Sequence, residues 1–191
     1  TVIRGAPASF TKDEIDINVI KKSKIFLTQL EIPIDVTLYC LKKAKESGLI
    51  NILNPAPACK LDKEFFSLAD YFTPNEAEAE FYTGVKINNE NDAKESAKKL
   101  LELGLKKVII TLGEKGLFYS DGKEEIYIKA LPFKKVEDTT GAGDAFNGGL
   151  AYALSKNKNI KECLNIANQV AGLSTLNLGA GNSMPLLTDL K

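Results

Sequence analysis

Short apolar runs alternate along this chain with helical segments, and this alternation restricts the fold more than any other feature. The runs have the length and β-branched content of buried strands, and they lie at residues 25–30, 49–53, 71–73 and 107–112. Amphipathic segments at 35–47 and 92–103 lie between them, and a glycine follows each one. Parallel strands need crossovers of this kind, so the pattern predicts a parallel sheet covered by helices on both faces. We therefore expect a single α/β domain over residues 1–191.

Other segments extend the predicted fold at its edge and ends. Residues 116–119 and 125–128 flank an Asp-Gly turn, which is typical of a hairpin at the edge of a sheet. Thr11 and Glu14 have the spacing of a capping box, which predicts that an early helix starts there. Apolar residues at helical spacing over 160–174 predict a long helix near the end of the chain.

The sequence Asp138-Thr-Thr-Gly-Ala-Gly-Asp-Ala-Phe146 is a glycine-rich turn that runs directly into an amphipathic helix. The helix is indicated by residues at helical spacing, namely Phe146, Gly149, Leu150, Ala153 and Leu154. Its first turn has backbone N–H groups without intrahelical partners and a partial positive charge, which together favour phosphate. The carboxylate of Asp144 in that turn is suited to accept a proton from a hydroxyl that attacks phosphorus. The turn predicts phosphoryl transfer, although a plain helix cap would use similar residues.

The composition and the motifs exclude several other classes of function. Lys and Arg together number 25, as do Asp and Glu, so nothing indicates binding to nucleic acid or to an anionic membrane. The chain has no histidine, which excludes imidazole catalysis and histidine-ligated metals. No apolar run has a transmembrane length, and the glycine turn matches neither a dinucleotide fingerprint nor a P-loop. Cys40, Cys59 and Cys163 lack metal-ligand spacing, so we expect three buried thiols.

The glycine turn closely resembles the C-terminal signature of the ribokinase-like (PfkB) carbohydrate kinases. Further segments match that family in the same order: Asn54-Pro-Ala-Pro-Ala58, Thr73-Pro-Asn-Glu-Ala-Glu78 and Thr111-Leu-Gly-Glu-Lys-Gly116. The resemblance implies a ribokinase-like three-layer αβα sandwich with a mainly parallel sheet. It also implies a cytoplasmic enzyme that transfers the γ-phosphate of ATP to a sugar hydroxyl. Asn54–Ala58 and the Gln29-Leu-Glu31 segment are most similar to members that convert D-ribose to D-ribose 5-phosphate; fructose, a nucleoside or a sugar derivative are the alternative acceptors.

The resemblance also implies which residues act in catalysis and nucleotide binding. Asp144 is the expected base, and the backbone of Gly141, Ala142 and Gly143 is expected to stabilise the transferring phosphoryl group. ATP is expected to contact Asn75, Thr111, Gly113, Glu114, Gly116, Gly143 and Asn168. The glycine-containing segment after the fourth strand would lie beneath the nucleotide, but an ordinary tight connection into the hairpin has the same composition. Asn168 would lie beside the adenine, or would be a polar residue on a solvated helix face.

Two cations are implied in the same way. Asn75 and Glu78 would organise Mg²⁺ and the phosphates through water, and the same pair also has the spacing of a helix N-cap. A monovalent cation, K⁺, would be held by Asp138, Thr140, Ser174, Asn177, Gly179 and Ser183. Their glycine-rich loop could equally be an ordinary helix end. Glu31 would contact the sugar, or would simply precede the helix that follows Ile32-Pro33.

One part of the family pattern is missing from the sequence. Intact members begin with further strands, a glycine-rich sugar motif and a small β-sheet lid that also mediates dimerisation. The chain resembles the C-terminal two-thirds of such an enzyme, so we expect a piece that lacks the N-terminal strands and the lid of a homodimeric parent. We expect this piece to fold and to bind ATP weakly, with little ribose-dependent turnover, or to be only a nucleotide-binding domain.

Overall fold

The computed structural model describes residues 5–133 and 135–190. These residues form one six-stranded sheet whose strands follow the order of the chain. The strands are β1 (Ile25–Thr28), β2 (Ile50–Leu53), β3 (Tyr71–Phe72), β4 (Val108–Thr111), β5 (Leu117–Ser120) and β6 (Glu125–Ile128). Strands β1 to β4 pair in parallel, and β5 and β6 complete the sheet as an antiparallel hairpin. The predicted mainly parallel sheet with a hairpin at its edge is therefore confirmed.

The helices of the described residues cover both faces of this sheet. They are α1 (Ile17–Lys21), α2 (Ile34–Glu46), α3 (Lys63–Leu68), α4 (Glu76–Thr83), α5 (Glu90–Glu102), α6 (Ala142–Ser155) and α7 (Ile160–Ser174). Helices α2 to α5 share one apolar cluster with the strands, which includes Leu41 and Ala97. Helices α6 and α7 share another, which includes Leu150 and Leu164. Among the helices described, none is long and apolar enough to cross a bilayer.

The central strand β4 shows why its sequence is apolar without alternation. Ile110 packs into the cluster of α2 to α5, whereas its neighbour Ile109 packs into the cluster of α6 and α7. Both side chains are fully buried. A strand that is covered on both faces needs apolar residues at every position, and the predicted three-layer αβα sandwich is confirmed.

Helices α6 and α7 pack closely at Gly149, a residue of α6 that faces α7. A Cβ atom on Gly149 would lie 3.0 Å from the Cα of Ala167 and 3.0 Å from the Cβ of Val170. Any larger residue would have to push the two helices apart. The glycine in the predicted apolar stripe of α6 therefore has a packing role.

Two predictions about local structure are wrong in detail. The first strand ends at Thr28, and the N–H of Leu30 already donates to the loop after β2 rather than to the sheet. The carboxylate of Glu14 accepts from the N–H of Thr11 at 2.7 Å, as a capping box requires, but the Thr11 hydroxyl donates to that carboxylate and the motif opens only a short 3-10 turn. Helix α1 starts separately, with the Asp16 carboxylate as its N-cap.

The three cysteines do not share one environment. Cys40 and Cys163 are buried as predicted, whereas Cys59 is half-buried, which corrects that prediction. Burial raises the pKa of the Cys40 and Cys163 thiols, so both stay protonated and unreactive at neutral pH. None of the three forms a disulfide within the part of the chain that the structure describes.

Candidate active site

The carboxyl ends of the parallel strands meet at one edge of the sheet, and hydrogen bonds beyond the strands hold them in register. The N–H of Thr73 donates to the carbonyl oxygen of Leu53 at 3.1 Å, and that of Thr111 donates to Pro74 at 2.9 Å. Asn75 pairs with Thr111 in a parallel bridge just beyond β3. Two residues predicted to contact the nucleotide are thus neighbours, at the edge where open α/β sheets bind ligands.

The first turn of α6 is the predicted anion-binding turn. The helix starts after Gly141, whose φ of +78° lies in the left-handed region that favours glycine. The N–H of Ala142 donates to the carbonyl oxygen of Thr139 at 3.1 Å. Within the described residues, the N–H groups of Gly143 and Asp144 donate to no other residue. The N–H groups of Gly143 and Asp144 are therefore available to an anion, and the predicted roles of the Gly141 and Ala142 backbone stay predictions.

The predicted base, Asp144, is exposed in this turn. Its carboxylate accepts one hydrogen bond from a side chain that follows the edge strand β1. The side-chain amide of Gln29 donates to Asp144 Oδ1 at 2.7 Å. Gln29 follows β1 directly, so its position depends on β1 ending at Thr28 rather than at residue 30. Gln29 belongs to a segment that resembles the family, but no role was predicted for it; its position after a buried strand was the available signal.

A polar cavity of about 180 Å³ lies beside this contact. Its lining consists of Leu27, Thr28, Gln29, Asn54, Asp144 and Asn147. Asn54, the first residue of a segment that resembles the family, follows β2 directly and is part of this lining. Glu31, the predicted sugar contact, lies farther along in an exposed bend before α2 and does not line the cavity. Its contact with a sugar stays a prediction.

Asn75 and Glu78 form a complete capping box at the start of α4. The N–H of Glu78 donates to Asn75 Oδ1 at 2.8 Å, and the N–H of Asn75 donates to Glu78 Oε2 at 2.9 Å. Burial raises the pKa of Glu78, and the hydrogen bond from the Asn75 N–H opposes this rise. The N-cap interpretation is confirmed, and Glu78 Oε1 remains outside the capping box for water or a cation.

The two glycines between β4 and β5 differ in what requires them. Gly113 has a φ of +54°, and a Cβ atom there would meet nothing within 4 Å. Gly116 has a φ of +105°, and a Cβ atom there would overlap the carbonyl oxygen of Ile128 on the neighbouring strand. Gly116 is therefore required by the hairpin, whereas Gly113 and the exposed Glu114 remain open at the predicted nucleotide edge.

Lys115, which lies in the same connection, contacts the start of α4 and the segment before α5. Its ammonium donates to the carbonyl oxygen of Asn88 at 3.2 Å and lies 3.6 Å from Glu76 Oε1. The ammonium of Lys115 is therefore occupied by these two oxygen atoms.

Asn168 lies in the wall of a larger cleft of about 560 Å³ between α7 and the segment after β6. Its side-chain amide donates to the carbonyl oxygen of Lys129 at 2.9 Å. The side chain is 9% exposed, so the alternative of a solvated polar residue is wrong. Pro132, Phe133 and Leu173 supply apolar walls of the cleft, which is large enough for an aromatic base.

Asp138 connects the two loops that were predicted to hold a monovalent cation. Its Oδ1 accepts from the N–H of Thr140 at 2.9 Å, and its Oδ2 accepts from the N–H of Gly179 at 2.9 Å. Hydrogen bonds from Thr140 and then from Gly179 lower the pKa of Asp138, so the carboxylate is ionised at neutral pH. The structure thus brings three of the six predicted cation ligands together.

The other three predicted cation ligands contribute differently. The hydroxyls of Ser174 and Ser183 are buried and donate to Ala171 and Ala180 carbonyl oxygens at 2.8 and 2.7 Å. Asn177 is exposed on the loop between them. The serine hydroxyls therefore shape the loop, and their remaining lone pairs and nearby carbonyl groups are the oxygens it can offer.

Comparison with known proteins agrees with this geometry. The profile described as "pfkB family carbohydrate kinase" matches residues 12–187. The chain belongs to this family. It is similar to a ribokinase of Staphylococcus aureus, with 35% identity over 193 residues that cover 99% of this chain and 63% of the relative. The PfkB chain therefore spans less than two thirds of that relative's length.

Solved structures of PfkB relatives show the same fold. A ribokinase of Thermotoga maritima superposes with a TM-score of 0.88 at 38% identity, over 99% of this chain and 62% of that one. A ribokinase of Arabidopsis thaliana, complexed with ribose and ATP, superposes with a TM-score of 0.91 at 30% identity. That match covers 97% of this chain and 61% of the other.

Proposed function

We propose that this PfkB chain acts in an ATP-dependent sugar kinase that converts D-ribose to D-ribose 5-phosphate. The observation that carries the proposal is the first turn of α6, where the Asp144 carboxylate accepts from the side chain of Gln29 and the N–H groups of Gly143 and Asp144 have no partner among the described residues. The similar proteins named ribokinase support ribose as the acceptor.

The proposed reaction uses Asp144 as the general base. Asp144 Oδ1 is engaged by Gln29, so Oδ2 accepts the proton of the ribose hydroxyl as that oxygen attacks the γ-phosphorus. The bond between the γ-phosphorus and the bridging oxygen of ATP breaks, and ADP leaves with the negative charge. The N–H groups of Gly143 and Asp144 stabilise the charge on the transferring group, as is expected when positioning and electrostatics dominate phosphoryl transfer.

The nucleotide is proposed to extend from the α6 turn towards the cleft beside Asn168. The open space around Gly113 lets the nucleotide approach the backbone closely. Asn75 and Thr111, which pair just beyond β3, lie at the same edge of the sheet. The apolar walls at Pro132 and Phe133 fit the faces of an adenine ring.

Asn75 and Glu78 fit a proposed Mg²⁺ site that acts through water. Mg²⁺ retains several water ligands in most kinase sites, and the free Oε1 of Glu78 can accept a hydrogen bond from one of them. When bound, Mg²⁺ supplies charge neutralisation at the phosphates. The capping box fixes the position of the carboxylate towards that edge.

The loops joined by Asp138 fit a proposed K⁺ site. The ionised carboxylate and a glycine-containing loop provide hard oxygen atoms of the kind that such a cation requires. The same loops pack closely against the first turn of α6. A Cβ atom added to Gly141 would lie only 3.0 Å from the Cβ of Ala180. Binding there would stabilise the turn that carries Asp144.

A comparison of acceptors tests the proposal. The full-length product of the gene that encodes this chain is assayed for ADP release with Mg·ATP, K⁺ and ribose, fructose or adenosine. We expect ribose to support turnover of about 1–100 s⁻¹ and to be phosphorylated at the 5-hydroxyl, identified by ³¹P NMR. Preference for another acceptor would refute ribose, and no turnover with any of them would refute the kinase proposal.

A further inference from the structure

Two polar side chains are buried beneath the first turn of α6. Thr73 is 3% exposed and Asn147 is 4% exposed. The hydroxyl of Thr73 donates to Asn147 Oδ1 at 2.7 Å, and Asn147 Nδ2 donates to the carbonyl oxygen of Gly143 at 2.9 Å. The chain of contacts joins the segment after β3 to the phosphate-binding turn, across 74 residues of sequence.

The orientation of the Asn147 amide follows from its two partners. The carbonyl of Gly143 can only accept a hydrogen bond, so it requires the NH₂ group, and the amide oxygen is left for the Thr73 hydroxyl. Asn147 lies among buried apolar residues of α6, where an aliphatic side chain would avoid the cost of burying an amide. Asn147 also lines the cavity beside Asp144, but the hydrogen bonds of its amide run to Thr73 and to Gly143 rather than into that cavity.

The carbonyl oxygen of Gly143 belongs to the same peptide group as the N–H of Asp144. A hydrogen bond to that oxygen polarises the peptide, which strengthens its N–H as a donor, and also fixes the plane of the group. We propose that Asn147, held in place by Thr73, is a positioning residue for the phosphate-binding N–H of Asp144. This inference rests on the proposed kinase function.

Thr73 also ties this turn to the nucleotide side of the site. Its chain neighbour Pro74 accepts the N–H of Thr111 at 2.9 Å, and Asn75 follows with its capping box. The contact between Thr73 and Asn147 therefore sets the distance between the proposed Mg²⁺ site at Asn75 and the first turn of α6. An interaction of this kind affects the transition state more than the bound ground state, so its loss lowers kcat more than it raises the KM for ATP.

The test compares Thr73→Val, which keeps the shape but removes the hydroxyl, with Thr73→Ser, which keeps the hydroxyl. In the full-length protein, Thr73→Val is expected to lower kcat about 10-fold, which is less than the 10²–10³ that follows complete removal of an anion-hole donor. The KM for ATP is expected to stay within about twofold. Thr73→Ser is expected to retain most of the wild-type kcat.

A second variant and a stability measurement keep the inference open to refutation. Asn147→Leu removes both hydrogen bonds in a side chain of similar size, and is expected to lower kcat at least as much as Thr73→Val. The folded fraction of each variant is measured by circular dichroism at the assay temperature. If turnover falls only in proportion to the folded fraction, or if kcat is unchanged in either variant, the positioning role is wrong. An inactive wild type would instead refute the kinase function itself.

Discussion

The side-chain amide of Gln29 holds the carboxylate of Asp144 at 2.7 Å, although 115 residues separate them in the sequence. One residue follows the edge strand β1 and the other begins α6, so the contact joins two ends of the candidate site. An amide donor has no charge of its own. It can therefore orient one carboxylate oxygen while leaving the other unengaged by Gln29.

The first prediction concerns Gln29. Gln29→Leu removes the donor, so Asp144 becomes free to rotate and kcat is expected to fall about 10-fold, which is less than the 10²–10⁴-fold that loss of the general base itself costs. Gln29→Glu is expected to be more harmful, because a second carboxylate repels Asp144 at neutral pH. Steady-state kinetics with saturating ATP and sugar provide the measurement. Equal activity of the two variants would show that charge at this position does not matter.

The second prediction concerns the base itself. Asp144→Asn should lower kcat by about 10²–10⁴-fold, the usual span for loss of general-base catalysis, because the chain has no histidine to take over. ATP affinity, measured by calorimetry, should change little. Asp13→Asn is the matched control, since Asp13 is exposed in the short 3-10 turn. Near-normal turnover of Asp144→Asn would remove this residue from the mechanism.

The fold could be predicted because its determinants are local in the sequence. Residues 108–110 are all apolar, which indicates a strand covered on both faces, and glycines mark the ends of α2 and α5. Strand ends were less predictable. The run 25–30 is as apolar as its neighbours, but the chain leaves the sheet after Thr28 because Leu30 finds a hydrogen-bond partner in a loop.

The site could be predicted only where one segment carries it. The glycine turn of α6 and the capping box of Asn75 and Glu78 are each contained within a few residues. The contacts of Gln29 and of Thr73 depend on which strand ends meet in space, and no short pattern encodes that. Asn147 did carry a signal, because it is a polar residue on the side of α6 that also presents Leu150.

The third prediction separates the two roles of Glu78. Glu78→Gln keeps an oxygen that accepts from the N–H of Asn75, so the capping box survives, whereas the negative charge beside the proposed Mg²⁺ site is lost. The Mg²⁺ concentration for half-maximal activity should rise about 10-fold or more, as for other groups that orient metal ligands. An unchanged Mg²⁺ requirement would restrict Glu78 to its structural role.

The pH dependence of stability provides an internal check on the same variant. The pKa of Glu78 is raised above its ordinary value of 4.5 in the folded state, so the folded protein binds the proton more tightly than the unfolded chain. The tighter proton binding adds to the free energy of unfolding at pH values below the ordinary pKa, and this stabilisation is lost as the pH rises through the pKa of the folded state. Thermal unfolding between pH 4 and pH 7 should therefore show a loss of stability in the wild type that Glu78→Gln reduces.

The fourth prediction concerns the loops joined by Asp138. If they hold K⁺, the full-length protein should turn over faster in KCl than in NaCl at equal ionic strength, and Asp138→Ala should abolish that difference. Asp121→Asn is a suitable control, because Asp121 lies in the hairpin turn between β5 and β6, where asparagine can accept the same N–H groups. A wild-type rate that does not depend on the cation would show that these loops only end a helix.

The last prediction uses the two glycines between β4 and β5 as a matched pair. Alanine at Gly116 would overlap the carbonyl oxygen of Ile128 and approach the N of Ala130 to 2.6 Å, at a φ of +105°. Strained backbone of this kind costs about 1–3 kcal/mol before any overlap is counted, so Gly116→Ala should lower Tm by more than about 5 °C. Gly113→Ala has open space around the new methyl group, so only its φ of +54° opposes the change and Tm should fall by about 2–4 °C.

The two variants should also differ in nucleotide binding, measured by calorimetry with ADP on the folded proteins. The methyl group of Gly113→Ala projects where the nucleotide is proposed to approach the backbone, so ADP affinity should fall although the fold is nearly intact. Gly116→Ala should bind ADP normally wherever it remains folded, because its backbone contacts the hairpin partner instead. The opposite pattern, with ADP affinity lost only in Gly116→Ala, would place the nucleotide against the hairpin and away from Gly113.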